Sequence, residues 1–426
     1  MSLCFPLPIL RAAIAFGSAI AVGSAVTDAA PGPLALTHVL REVAEQHPQV
    51  RAAQALADAE REKIARASAW DDPVAGVEFM RRDTLRPLRS DETEFSLSQK
   101  LPLTAQRPQR AALAKAEAAA AASRVPAQLS PLLIRATDAF YRLARARDLL
   151  DLTRRNDEIL ARAVAAMQER LADGAGDVTG VLLAETERVR LQEPVIALHR
   201  EAAEAANTLN TLRGLPSETA IGALDSASDP AGAPLGSFAD LRDQALAHRP
   251  ELRAAEAQVT AAERATDLTR AWLPDPEVTV RARHLRGRRD PISEYDTALS
   301  ISLPWLNREK YRAATREAQR RRDAAALDAV ALRAQTLADL HDAWTRHEAA
   351  ARSVALFRDR LAPLAERSLT AALTGLDSGK SGILELISAQ KNLREVRNAL
   401  VDAQAERSRA LAIIGAMTGR NFFNSP

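Results

Sequence analysis

Between Arg107-Pro108 and Leu171 the chain has no glycine, and apolar or small residues recur at Leu132, Ala136, Ala139, Leu143, Ala146 and Leu150, then at Leu160, Val164, Met167 and Leu171. Alternating steps of four and three are the spacing of coiled-coil helices. A helix of that length would span roughly 95 Å at the α-helical rise, far more than a globular domain needs. Pro126 and Pro131 predict a kink or break near its start. The pattern returns from Arg308 to Leu376 through Leu327, Val330, Ala334, Leu337, His341 and Trp344, shifts phase near Ala350, and continues through Val354, Phe357, Leu361 and Leu364 past Pro363. Each long helix is predicted to stop in a glycine-rich turn, Asp173-Gly174-Ala175-Gly176-Asp177 and Ser378-Gly379-Lys380-Ser381-Gly382. New helices then run back from Val178 to Arg213 and from Ile383 to Met417. Shorter helices, Leu36 to Ser68 and Phe238 to Arg270, open the two halves.

Where the period changes from helical to two, strands are expected. Val74 to Met80 and Thr93 to Leu101 form one pair; Glu277 to Arg283 and Thr297 to Leu303 form another. Phe95 and Leu97 oppose Ser96 and Ser98. Val278, Val280 and Ala282 oppose Thr279, Arg281 and Arg283. Leu299, Ile301 and Leu303 oppose Ser300 and Ser302. In the weakest run, Val77 and Phe79 oppose Gly76 and Glu78. Runs of this length approach those that cross an outer membrane. Three of the four tryptophans, Trp70, Trp272 and Trp305, stand where these strands start or end, and an up-and-down layout puts all three on one side. Such a row reads as an aromatic girdle at one membrane interface. Four strands cannot close a membrane barrel and an open edge is not tolerated in lipid, so this reading requires several chains to share one barrel.

The chain also states its plan twice. His47-Pro48-Gln49-Val50-Arg51-Ala52-Ala53 returns as His248-Arg249-Pro250-Glu251-Leu252-Arg253-Ala254-Ala255, and Trp70-Asp71-Asp72-Pro73 as Trp272-Leu273-Pro274-Asp275-Pro276. The copies close at Leu212-Arg213-Gly214 and Met417-Thr418-Gly419. Duplication on this scale reports architecture: mainly α with a small β part, in two helix–strand–strand–helix halves. Residues 30–214 form the first half, 237–420 the second, and 421–426 a tail. The stretch 215–236, rich in Pro, Gly, Ser and Asp, is the linker.

Ahead of the first half, Arg11, the apolar run Ala12 to Val22 and the small residues Gly23-Ser24-Ala25 have the layout of a secretory signal, placed at residues 1–29. The run is too short to span a bilayer as a helix. Cys4, the one cysteine, lies within that segment, so a processed chain carries no thiol, disulfide or cysteine metal site. A net charge of +2 makes the whole molecule no obvious binder of nucleic acid. The seven histidines form no pair on one helical face, and His341 on its seam reads as packed or lumen-lining rather than as a metal ligand. Gly379-Lys380-Ser381 lacks the upstream glycine of a phosphate loop. Nothing reads as a nucleophile with its base, so no enzyme and no cofactor are expected.

Taken together, the duplicated halves, the turns Leu101-Pro102-Leu103 and Leu303-Pro304-Trp305 leaving the second strand of each pair, and the helix-restart segments Gly176 to Glu187 and Gly379 to Gln390 resemble the TolC-type outer-membrane efflux proteins, over roughly residues 36 to 420. The compact length is most similar to the heavy-metal branch that serves metal-exporting RND pumps. The resemblance implies a homotrimer with a shared twelve-stranded barrel and a helical tunnel reaching into the periplasm. It further implies a periplasmic adaptor and an inner-membrane RND-type pump as partners, and passive conduction of cargo such as heavy-metal cations or small toxic compounds. It makes the two glycine turns the periplasmic tips, where the aperture closes and the adaptor docks. Asp173, Gly174, Gly176 and Asp177 would lie at one tip, with Asp377, Gly379, Gly382 and Glu385 at the other. Asp173, Asp177, Asp377 and Glu385 are candidates for carboxylate rings, which attract cations. Helix capping competes with that role and outweighs it at Asp177, just ahead of Val178.

Two strand-to-strand loops are arginine-rich, Arg81, Arg82, Arg86 and Arg89, then Arg283, Arg286, Arg288 and Arg289. Contact with outer-leaflet lipid phosphate and plain solvated charge are both open there. Two alternatives to efflux stand beside it. A duct for a protein-secretion system would share the fold, and a soluble periplasmic coiled-coil adaptor would explain the helices but not the strands.

Overall fold

The computed structural model describes residues 33–80, 92–172, 178–225, 235–285, 292–378 and 382–419. The first half opens with a two-residue strand β1 (Leu34–Ala35), then α1 (Leu36–Gln46) and α2 (Pro48–Ser68). Strands β2 (Val74–Met80) and β3 (Glu92–Lys100) lead into α3 (Gln106–Ala172), and α4 (Val178–Arg190) and α5 (Gln192–Arg213) return. After β4 (Leu224–Asp225) the second half repeats the order with α6 (Phe238–His248), α7 (Pro250–Arg270), β5 (Glu277–Leu285) and β6 (Ile292–Ser300). A 3₁₀ turn, Pro304–Asn307, then leads into α8 (Arg308–Leu356). A π-helical turn at Phe357–Leu361 joins α8 to α9 (Ala362–Asp377), and α10 (Ile383–Thr418) closes the half.

The opening helix expected from Leu36 to Ser68 is two helices, and so is its counterpart, because Pro48 and Pro250 each stand at a first helical position behind an extended residue, His47 and Arg249. Proline favours that position and its ring disfavours a helical conformation in the residue before it. His47 therefore matches Arg249 in structure, not His248. By contrast α3 runs unbroken through Pro126 and Pro131. Packing on both sides overrides the local cost: α3 lies against α2, α7 and α1 over this stretch, and Leu132, Ala136, Ala139, Phe140 and Leu143 are buried in the first-half core. The phase shift expected near Ala350 falls at the π turn, where one extra residue in the turn rotates the apolar seam. The return helix of the first half is also interrupted, at Leu191, three residues before Pro194.

The four longer strands form one antiparallel sheet in the order β2-β3-β5-β6, with Val77 opposite Phe95, Phe95 opposite Ala282, and Ala282 opposite Tyr295. Among the described residues both outer strands keep a free edge. The helices continue the strand order, α2 on α3, α3 on α7 and α7 on α8. At the far end α3 packs on α4, α9 on α10, and α10 on α3. Three apolar clusters hold the length together. One joins α1, α3 and α5 around Val39, Phe140 and Leu209; one joins α6, α8 and α10 around Leu241, Leu340 and Ile414; one joins the ends of α3, α4, α9 and α10 around Val164, Val181, Leu369 and Leu386. The short pair β1–β4, parallel, ties the start of the first half to the linker.

Candidate conduction surface

Alternation along the strands gives the sheet two unlike faces. Val77, Phe79, Phe95, Leu97, Val280, Tyr295 and Leu299 share one face, and all are exposed; Leu299 keeps 72% of its surface. A soluble protein rarely leaves so large a contiguous apolar surface uncovered. The other face carries Glu78, Glu92, Glu94, Ser96, Ser98, Thr279, Arg281, Arg283, Glu294 and Asp296. Here charges are laced across strands. Arg283 reaches Glu92 at 2.7 Å, Glu94 at 3.0 Å and Glu294 at 3.8 Å, while Arg281 reaches Glu94 at 3.4 Å and Asp296 at 3.5 Å. Glu94, 8% exposed, sits between the two guanidiniums. Ser98 and Thr279 share a hydroxyl hydrogen bond at 2.9 Å on the same face. Carboxylates outnumber the guanidiniums on this face, so its field favours cations.

The expected strands are present with three differences, the first a one-residue offset in β3, which runs Glu92–Lys100 rather than Thr93 to Leu101. β6 runs Ile292–Ser300 rather than Thr297 to Leu303, so Ile301 and Leu303 lie past its end. β5 reaches Leu285, which places Arg283 inside a strand with acidic partners and not in a solvated loop. Arg81, Arg82, Arg86, Arg89, Arg286, Arg288 and Arg289 lie outside the described residues.

The repeated Trp-Asp and Pro-Asp-Pro motifs weld the sheet to the helices. The Asp275 carboxylate accepts from the Thr104 backbone N–H at 2.8 Å and its hydroxyl at 2.7 Å, and the Leu101 N–H donates to the Pro276 carbonyl at 2.8 Å. The Gln99 side-chain amide donates to the Asp71 carbonyl at 2.7 Å, and Arg107 Nε to the Ser68 carbonyl at 2.7 Å. Trp70, Trp272 and Trp305 all lie at this end of the sheet and are exposed.

Below the sheet, α2, α3, α7 and α8 enclose a groove of about 630 Å³, lined by Lys63, Glu117, Arg124, Gln258 and Arg321 among small residues such as Ala121, Ala261 and Ala318. Lys63 bonds Glu117 at 3.0 Å and Glu60 at 3.1 Å, and both carboxylates hold its ammonium above the ordinary lysine value.

At the opposite end the last turns of α3 and α9 and the first turns of α4 and α10 pack in one shared apolar cluster. The Gly382 N–H donates to Glu385 Oε2 at 2.8 Å, so Glu385 caps its own helix. Asp377 is the last residue of α9. Asp173, Gly174, Gly176, Asp177 and Gly379 lie outside the described residues. His341 is packed edge-on against Phe238 at 5.1 Å and stacked with Trp344 at 6.2 Å. No group of three metal-type ligands occurs among the described residues, and no described helix is long and apolar enough to cross a membrane, which says nothing of the strands.

The cross-strand charge ladder escaped sequence reading. Its signal was there: Glu92-Glu94 and Arg281-Arg283 each repeat at a spacing of two, on the polar side of a strand.

Residues 241–420 match the sequence model of a family described as outer membrane efflux protein. No curated protein matches the chain by sequence. Among solved structures, the open state of the MtrE outer membrane channel of Neisseria gonorrhoeae is similar, with a TM-score of 0.72 at 16% identity over 90% of this chain and 88% of that one. The outer membrane protein VceC of Vibrio cholerae gives 0.70 at 16% identity over 91% and 96%, and CusC gives 0.72 at 16% over 90% and 91%. At these identities the likeness establishes the fold, which is that of outer-membrane channel chains.

Proposed function

We propose that the whole chain, both halves, belongs to the outer membrane efflux family, and that three copies close a twelve-stranded barrel in the outer membrane above a periplasmic helical tunnel. The observation that carries this reading is the sheet itself: four strands with two free edges, an uncovered apolar face and a charged face opposite it. Three such sheets joined edge to edge would leave no unpaired strand, put Leu97 and Leu299 against lipid and turn Glu94 and Asp296 to the lumen. Residues 1–29 serve as the export signal, the tips at 173–177 and 377–385 dock a periplasmic adaptor, and an inner-membrane pump supplies the cargo. The excess of carboxylates on the inner face favours small cationic cargo, heavy-metal cations among them. The match to a family described by efflux favours this over a protein-secretion duct; the membrane-ready sheet disfavours a soluble adaptor.

Reconstitution in planar bilayers under a salt gradient tests the reading. The wild-type channel is expected to prefer cations. Glu294→Gln with Asp296→Asn is expected to lower the cation-over-anion ratio without abolishing conductance, because Arg281 and Arg283 keep Glu94. No conductance, or an anion preference in the wild type, would contradict it.

A further inference from the structure

A groove of about 520 Å³ lies beside the start of α8, lined by Trp272, Pro304, Trp305, Arg308, Tyr311, Arg312, Thr315 and Arg316. Arg308, Arg312 and Arg316 follow one another at steps of four, one turn apart on a single helix face. That face points away from the groove shared by α2, α3, α7 and α8. Ala314 and Glu317 line the groove enclosed by the four helices, and positions two residues apart on a helix, such as Arg312 and Ala314, are turned about 200° from each other. The arginine face is therefore on the side of α8 opposite that groove, just below the sheet end that carries the tryptophans. Trp272 and Tyr311 are in tilted ring contact at 6.1 Å and form an aromatic wall beside the guanidiniums.

Two features of α8 call for an anion here. Cations in the first turn of a helix oppose its dipole, yet Arg308 and Lys310 stand there. The helix start also lacks a side-chain cap, because Asn307 makes no side-chain hydrogen bond to it. One carboxylate is close: Glu309 pairs with Arg316, and Arg312 adds to the field that holds its carboxyl below the ordinary value. Arg308 and Arg312 form no ion pair with a carboxylate among the described residues.

We propose that this groove binds the phosphate headgroup of an anionic phospholipid from the periplasmic leaflet of the outer membrane. Arg308 and Arg312 grip the phosphate, and Trp272, Trp305 and Tyr311 lie along the glycerol and upper acyl region. Guanidinium forks match phosphate oxygens in pairs, and indole and phenol rings settle at headgroup level. The site anchors the helical tunnel against the membrane surface on its outer side. It rests on the reading that the sheet crosses the membrane.

The test uses full-length protein extracted in detergent and inserted into vesicles of phosphatidylcholine with phosphatidylglycerol, followed by native mass spectrometry of the lipids retained. The wild type is expected to keep phosphatidylglycerol in preference to phosphatidylcholine, and Arg308→Gln with Arg312→Gln to lose about tenfold of that preference, a factor equal to one step of 1.4 kcal/mol. Arg333→Gln with Arg346→Gln makes the same charge change farther along α8 and is expected to bind as the wild type. Equal retention by the wild type and the Arg308/Arg312 variant overturns the site, as does complete displacement of the lipid by inorganic phosphate. Protein that inserts normally but shows no lipid preference overturns this inference alone. Protein that stays in water and never inserts overturns the channel reading with it.

Discussion

His47 heads α2 with its ring: Nδ1 accepts the Gln49 N–H at 3.2 Å, and burial followed by the charge of Arg135 lowers its pKa from the ordinary 6.5. The folded state thus takes up the proton less readily than the unfolded chain. Its contribution to stability is fully present above the ordinary value and is lost as pH falls through it toward the folded value. Melting measured from about pH 7.5 down to about pH 5.5 should show this loss, and His47→Asn, which keeps an acceptor but does not titrate, should flatten it. An unchanged slope in His47→Asn would mean that other groups carry the pH dependence. His47→Ala should cost about 1 kcal/mol at neutral pH, the usual worth of such a cap. The two glycines that end the halves allow a sharper comparison. Gly214 and Gly419 have φ of 75° and 70°, so alanine at either costs about 1–2 kcal/mol in backbone strain. A Cβ at Gly419 would also sit 3.2 Å from the His248 Cβ, against 3.9 Å to the Gln46 carbonyl at Gly214. Gly419→Ala should therefore show the larger fall in melting temperature; equal falls would mean that His248 yields freely. These residues were legible as the ends of the repeats. Capping at Glu385 was legible as the competing role for that carboxylate, whereas the cap at His47 was not, because a cap is defined by a backbone angle that sequence pattern does not carry.

At the scale of elements, the long helices could be read closely because a seam repeated over many turns averages out local noise. Their interruptions could not. Pro126 and Pro131 weigh against helix locally, yet packing on α2 and α7 holds α3 through them, while the π turn at Phe357–Leu361 leaves only a phase slip as its trace. The shift in β6 has a related cause. Its first half, Ile292 to Asp296, looks like loop because Glu294 and Asp296 are charged, and their partners Arg283 and Arg281 are on another strand. A strand whose polar face meets a wet lumen will read this way wherever its charges are paired across the sheet. The two faces predict different tolerance to the same change. Leu299→Arg places a charge on the apolar face and should cost roughly 2–4 kcal/mol at mid-membrane, read as lost insertion into the outer membrane. Ser300→Arg, on the polar face opposite Glu277, should insert normally. If both insert equally, the apolar face does not meet lipid.

The whole molecule is organised by its duplication. Each half contributes two strands to the sheet and two helix ends to the far cluster, so a single chain brings the two strand pairs edge to edge and packs α3 and α4 with α9 and α10. Duplication explains why the fold was visible in the sequence from end to end: every weak motif occurs twice, in order. What the chain cannot do alone is satisfy the free edges of β2 and β6 or cover the apolar face, and this incompleteness carries the channel account. The most direct test is the mass of the protein extracted in detergent from separated outer membranes. The account predicts an outer-membrane particle of three chains. A monomer or dimer recovered from the soluble periplasmic fraction without detergent would contradict it.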